Sequence, residues 1–374
     1  MSAGRVVLPK SEAEIEALDD ETASGLEGYP LDTVLIRTEP RTIQDVLRRI
    51  DKGFIKLDPD FQRDFLWDEG RQSRLIESVL MRIPLPVFYV AEDAEGKLVV
   101  VDGLQRLTTF KQFNEGKLKL TLKNPDLDAK NVEGLPPKLR NRFEDGQLLF
   151  YVIDAKAPEK VRLDIFDRVN SGVALTRQQM RNALYSGPAT RLLRELAGSA
   201  EFKEASAEAL DKRKYREEQR DREVINRFLA FHVLGWKSYG TKGAADMDEF
   251  LGRALRLVNK MSTVEREDVR SAFLRSMERN RRIFGRHAFC KHESADDRKH
   301  PFNVALFEVF SVLLALYAEG EGEAGDTALR SAFYKLMRDS RFARSISAAT
   351  TAVETVHTRF ERAEKMVRGV LGDP

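Results

Sequence analysis

Cysteine is nearly absent from this chain, one in 374 residues, and histidine and tryptophan are scarce, at five and two. The lone thiol, Cys290, excludes an intrachain disulfide and any zinc site built from cysteines. It lies in Ala288-Phe289-Cys290-Lys291 near the end of a helical pattern, which reads as a half-buried structural thiol before a nucleophile. No apolar run reaches membrane-spanning length, and none near Met1 has the form of a signal peptide. The expectation is a cytoplasmic protein with no membrane partner. Charge of one sign is lacking too: 62 basic residues nearly cancel 60 acidic ones. The acids are concentrated early, with Glu12, Glu14, Glu16, Asp19, Asp20, Glu21 and Glu27 against Arg5 and Lys10. The remainder is therefore basic, which permits a nucleic-acid or nucleotide partner without demanding one.

The length suits two domains. Residues 1–32 lack sustained periodicity and read as an acidic, flexible leader. Thr42 caps a helix carrying Ile43, Val46, Leu47 and Ile50, which stops near Gly53. An extended loop over 57–63 precedes a second amphipathic helix over 69–81, which Ile83-Pro84-Leu85-Pro86 breaks. Strands at 87–91 and 97–101 form a hairpin, and a helix runs from its end to about Asn114. Further strands are expected at 118–122 and 148–153, around a polar insertion with Pro136 and Pro137. This order predicts an α+β core over 33–157 and not a doubly wound sheet. Residues 158–374 read as a helical domain. There Thr176 and Gln179 make a capping box for a helix over 177–185, which Gly187-Pro188 ends. Later helices fall near 221–235, 246–261, 266–284, 301–318, 326–338 and 349–371, with an acidic loop at 319–323. No internal repeat is present.

Three polar clusters stand at element junctions. The first is Phe61-Gln62-Arg63 with Trp67 downstream. The second is Asp102-Gly103-Leu104-Gln105-Arg106, followed by Thr108 and Thr109. The third is Arg168-Val169-Asn170-Ser171-Gly172, just before the capped helix with Arg181 and Asn182. In the second, a strand ending in Asp-Gly turns at once into a helix. Glycine lets the backbone approach closely, the helix N-terminus offers unpaired N–H groups, and Arg106 adds a fork suited to phosphate. Each piece alone has a plainer reading. Arg63 pairs equally well with Asp60 or Asp64, Asn170-Ser171-Gly172 is an ordinary turn, and the two threonines bond back to their own helix. Trp67 fits a core or lid aromatic. The basic stretches Lys212-Arg213-Lys214 and 279–286 are interspersed with glutamates and fit a solvated helix face.

The ordered series is more specific than its parts. Phe-Gln-Arg with a downstream Trp, then Asp-Gly-x-Gln-Arg-Leu-Thr-Thr, then Arg-x-Asn-Ser-Gly before Leu-Thr-x-Gln resembles the N-terminal domain family of the GmrSD modification-dependent restriction enzymes. The likeness continues through Arg227-Phe228-Leu229-Ala230-Phe231, Phe284-Gly285, Ala288-Phe289, Asn303-x-Ala305-Leu306-Phe307-Glu308 and Arg359-Phe360. It implies an N-terminal core similar to ParB and sulfiredoxin, nucleoside-triphosphate hydrolysis with Mg2+, and defence against phage with modified DNA. Carried over, Asp102 would hold the metal or its water, and Gln105 would orient a phosphate or water. Arg106 would neutralise phosphoryl charge, and Gly103, Gln62, Arg63, Arg168 and Asn170 would complete a nucleotide pocket. Two positions depart from the family: Leu104 replaces a glutamine and Val173 a glycine, so hydrolysis is expected to weaken before binding does.

Longer relatives add a His-Asn-His nuclease half, and this chain resembles a standalone member without it. Its histidines are His232, His287, His292, His300 and His357, and the polar loop of His292, Glu293, Asp296, Asp297 and His300 has no distinctive ligand spacing. DNA cleavage would then fall to a partner nuclease chain. Alternatively, the core is itself a metal-dependent nuclease using Asp102, or the chain is a non-catalytic DNA-binding or scaffold subunit. Assembly into a homo-oligomer stays open.

Overall fold

The computed structural model describes residues 15–16, 36–57, 67–93, 95–157, 159–169, 176–241, 246–317 and 322–373. Gln62, Arg63, Asn170, the loop expected over 57–63 beyond Leu57, and the 319–321 part of the acidic loop lie outside them. Contacts divide the chain into two compact units. One is Ala23–Ser186, and the other is Gly187–Pro374 with Met1–Thr22. Within the stretch read as a leader, the strand β1 (Ile15–Glu16) is described, pairing in parallel with Phe302–Asn303.

The first unit is built on a mixed sheet of five strands. They are β2 (Ile36–Thr42), β3 (Ile55–Lys56), β4 (Phe88–Glu92), β5 (Leu98–Asp102) and β6 (Gln147–Ile153), in the order β2-β6-β4-β5-β3. Strand β6 runs antiparallel to β2 and parallel to β4, while β4 and β5 form the expected antiparallel hairpin. Among the described residues, six helices accompany the sheet: α1 (Ile43–Asp51), α2 (Glu69–Leu80), α3 (Leu104–Asn114), α4 (Pro137–Glu144), α5 (Glu159–Val169) and α6 (Arg177–Leu184). Thr42 caps α1 by accepting from the Asp45 amide at 3.2 Å, and Asp68 caps α2 by accepting from Arg71 at 2.6 Å. The apolar stripes of these helices meet the inner sheet face at Ile76, Phe110, Phe143 and Phe150, all fully buried. The architecture is a mixed α/β region followed by a mainly helical one.

Three details differ from the sequence reading. The expected strand at 118–122 is irregular. Leu120 instead exchanges backbone hydrogen bonds with Ala129 and Lys130 in its own loop, and the Thr121 amide donates to Ser73 Oγ at 2.8 Å. Its alternating leucines still bury Leu118 and Leu120, so the pattern reports burial and not pairing. Strand β2, whose sequence is polar and contains Pro40, was not expected; it lies at the sheet edge, where both features are tolerated. Arg37 on β2 makes a two-pronged bond to Glu92 on β4, 3.0 Å at each prong. Within the polar insertion, Pro137 opens α4, a position that suits proline because its missing N–H has no helical partner there.

The second unit is helical: α7 (Pro188–Gly198), α8 (Ala200–Ala205), α9 (Arg213–Glu217), α10 (Arg220–Leu234), α11 (Met247–Lys260), α12 (Thr263–Phe284), α13 (Val304–Leu316), α14 (Gly322–Met337), α15 (Ser340–Ser345) and α16 (Val353–Leu371), with the short strand β7 (Phe302–Asn303). Pro188, read as a terminator, also begins α7. Among the described residues, no helix is long and apolar enough to cross a membrane. Three of the motifs quoted above meet at a buried ion cluster. Glu308 on α13 receives Arg227 Nη1 of α10 at 2.8 Å on one carboxylate oxygen and Arg359 of α16 on the other. Burial pulls the Arg359 guanidinium below its ordinary pKa, and Glu308 pushes back. Asn303 caps α13 and also donates to the Ile346 carbonyl at 2.9 Å.

Removing the carboxylate would leave two arginines buried without it, whereas in the intact cluster each Glu308 oxygen accepts from one of them. Glu308→Ala is expected to cost about 3–5 kcal/mol of stability in the helical unit. Urea unfolding followed by Trp236 fluorescence in a Trp67→Phe background measures it, since Trp236 stacks on Phe360 at 5.8 Å. An unchanged midpoint would remove the cluster from any stabilising role.

Candidate functional site

Strand β5 ends at Asp102, which faces Tyr89 across the hairpin, where a β-bulge between Tyr89 and Val90 shifts the register. Gly103 then takes φ +100°, and α3 begins at Leu104 with no side-chain cap on its first amides. An added Cβ at Gly103 would overlap the Phe88 ring. The glycine is thus needed twice, for its left-handed backbone and for the ring pressed against it. Phe88 in turn stacks on Phe150 with centroids 5.2 Å apart.

On the Phe88 ring lies Arg106, its guanidinium carbon 4.2 Å from the ring centroid. Nη2 donates to the Val87 carbonyl at 3.0 Å and to Asp102 Oδ2 at 2.9 Å, and Nη1 donates to the Pro86 carbonyl. Burial lowers the Arg106 pKa, while the charge and hydrogen bond of Asp102 oppose that shift. Three of the fork's donors are therefore spent inside the protein, leaving Nε–H and one Nη1–H. The Asp102–Arg106 pair is a spacing the sequence displays, one helical turn apart. The grip on Pro86 and Val87 is not.

Gln105 follows the junction on α3, and its Oε1 is buried without a hydrogen-bond partner among the described residues. Its backbone carbonyl accepts Thr109 Oγ1 at 2.8 Å, the back-bond expected from sequence. Leu104 packs into the apolar core, so its departure from the family pattern falls on the inward face of α3. Arg168 is exposed on the last turn of α5, and no bond joins it to Asp102 or Arg106 in the described structure. With Gln62, Arg63 and Asn170 outside the described residues, the structure assembles one of the three clusters and leaves the other two unplaced beside it.

Sequence reasoning underweighted α6. This helix is polar by composition, yet its residues from Gln178 to Leu184 are buried, and it packs against β5. Gln178 donates to Asn182 at 2.8 Å and accepts from Arg181 at 3.0 Å, below a complete Thr176–Gln179 capping box. On α5, Arg162 donates to the Glu92 carbonyl at 2.9 Å, and Asp164, almost fully buried, pairs with Arg177 at 3.2 Å. A run such as Arg-Gln-Gln-Met-Arg-Asn with a proper cap is the signal: a polar helix that reads as surface but is anchored as core.

The remaining candidates resolve into structure. Among the described residues, no group of three His, Cys, Asp or Glu side chains is placed to hold a metal. In the loop at 292–300, Asp297 accepts from the Glu293 and Ser294 amides, and burial lowers the His292 pKa. Cys290 is buried, and burial pushes its thiol up to about 11. Of the basic stretches, Arg213 pairs with Glu217 at 2.7 Å and Arg282 with Asp326 at 2.6 Å. Arg279 is buried against the Leu314 and Tyr317 carbonyls.

Strand β5, Gly103 and α3 form a strand–glycine–helix junction that carries the Asp102–Arg106 pair. Residues 43–186 match the family described as the GmrSD restriction endonuclease, N-terminal domain, and the match ends where the contact unit ends, at Ser186. No curated protein and no solved structure matches the chain.

Gly103→Ala is expected to destabilise the first unit by about 2–4 kcal/mol, from left-handed strain and overlap with Phe88. Phe88→Leu in the same chain should recover part of the loss. Thermal melts of the two variants and the parent check this, and equal destabilisation of the single and double variants would contradict the ring contact as the cause.

Proposed function

We propose that this chain binds a nucleoside triphosphate at the β5–α3 junction and hydrolyses it as part of a restriction or anti-phage defence system that responds to modified DNA. The observation that carries the reading is the uncapped start of α3, flanked by Asp102 and by the Gln105 side-chain amide oxygen, which has no partner among the described residues, inside the region matching the GmrSD family. The first amides of α3 would hold phosphate oxygens, where the helix dipole favours negative charge. Gly103 lets that backbone come close.

Asp102 is a single carboxylate with one oxygen already on Arg106, so it fits Mg2+ only as a ligand shared with phosphate oxygens and water. Bound there, the ion would neutralise charge developing on the triphosphate. Arg106 holds Asp102 in place and, through its remaining N–H groups, faces the phosphates as a secondary contact. Gln105 orients the attacking water or a phosphate oxygen. Gln62, Arg63, Arg168 and Asn170 would close the pocket from their own segments. The family match covers residues 43–186, and the reading is extended from there to the helical unit, with a partner nuclease cutting the DNA. Paired arginines in both basic stretches count against the scaffold reading.

The test is a hydrolysis panel of ATP, GTP, CTP and UTP with Mg2+, without DNA and with unmodified or modified DNA. Turnover of at least one is expected. Gln105→Ala should lower kcat about 10²-fold with the melting temperature kept, and Asp102→Asn should lower both turnover and magnesium dependence. Absence of binding and turnover across the panel would end this reading.

A further inference from the structure

A cavity in the same unit lies apart from the junction and has a different chemistry. It encloses about 730 Å³ between α2, α4, the 82–87 segment and the start of β6, within the size range of small-molecule sites. None of Asp102, Gly103, Gln105 and Arg106 lines it. Its lining is mainly apolar, with Leu85, Val87 and Leu149 over the buried Ile43, Val79 and Leu148, and with Asn141 and Gln147 among its polar members. At its mouth stand Arg82, Lys138 and Arg142, against one carboxylate, Asp145. Among the described residues, these cations have no ion-pair partner. Arg142 reaches only the Leu80 carbonyl, at 3.4 Å. Arg82 adopts φ +60°, a backbone conformation costly for a residue with a side chain, at a position that lines the cavity.

A mainly apolar chamber beneath three cations and one carboxylate is complementary to one kind of ligand. We propose that this cavity binds a small organic anion with an apolar body, the body among Leu85, Val87 and Leu149, the anionic head between Arg82, Lys138 and Arg142. Burying the body removes apolar surface from water, and the head supplies the counter-charge that the rim lacks. The segment forming one wall is the one whose Pro86 and Val87 carbonyls Arg106 holds, so the wall is fixed before a ligand arrives. The inference does not depend on the nucleotide reading.

The probe is 1-anilinonaphthalene-8-sulfonate, titrated by fluorescence into the full chain, beside its uncharged counterpart N-phenyl-1-naphthylamine. Saturable one-to-one binding of the sulfonate is expected, tighter than that of the uncharged probe. Arg82→Glu with Lys138→Glu, both exposed positions, should weaken the sulfonate at least about tenfold and leave the uncharged probe nearly unchanged. Ile83→Trp, which fills the mouth, should weaken both. Circular dichroism and melting temperature identify variants that keep the fold, and either variant suffices. The proposal is overturned if binding does not saturate at one site, if the uncharged probe binds as well as the sulfonate, or if both folded variants bind the sulfonate as the parent does.

Discussion

The absent Cβ of Gly103 lets the Phe88 ring lie against the turn between β5 and α3, and much of the first unit depends on that contact. The ring stacks inward on Phe150 and outward under Arg106. From there the guanidinium ties Asp102, at the end of one strand, to the carbonyls of Pro86 and Val87, at the entry to its neighbour. A motif that looks like a ligand cradle is thus also a joint between two strands. The same arginine fixes the backbone on one side, where a cavity opens, and the carboxylate on the other. Binding there would be pre-organised by the joint, because Asp102 and the α3 amides are held before any ligand comes.

Buried arginine recurs as the means of joining elements. In the helical unit, Glu308 collects Arg227 and Arg359 from two other helices, and Arg279 satisfies the last carbonyls of α13. Such pairs do little for net stability against an apolar replacement, but breaking one side is costly. They fix which helices meet. Three of the motifs that suggested a family likeness in the helical part have this packing role.

Much of the first unit was legible in the sequence. Thr42 caps the helix it was expected to cap, the hairpin pairs where its two runs lie, and Thr176 with Gln179 forms the box that their spacing requires. Where expectation and structure part, tertiary context decides. Leu118 and Leu120 alternate because they are buried, while their backbone partners lie in the same loop. Strand β2 carries Pro40 and charges because an edge allows them. In the site, the Asp102–Arg106 spacing was visible, but the direction of the arginine was not, since its carbonyl partners lie 20 and 19 residues away in sequence. The burial of α6 was equally hidden, because polar residues read as surface until a neighbour shows otherwise.

The claim that the β5–α3 junction receives a nucleotide is tested most directly by hydrogen–deuterium exchange of the intact chain with and without nucleoside triphosphate and Mg2+. The account predicts slowed exchange in peptides covering Asp102 to Thr109, together with those covering Gln62–Arg63 and Arg168–Asn170. Protection confined to other segments, or none at saturating nucleotide, would contradict it.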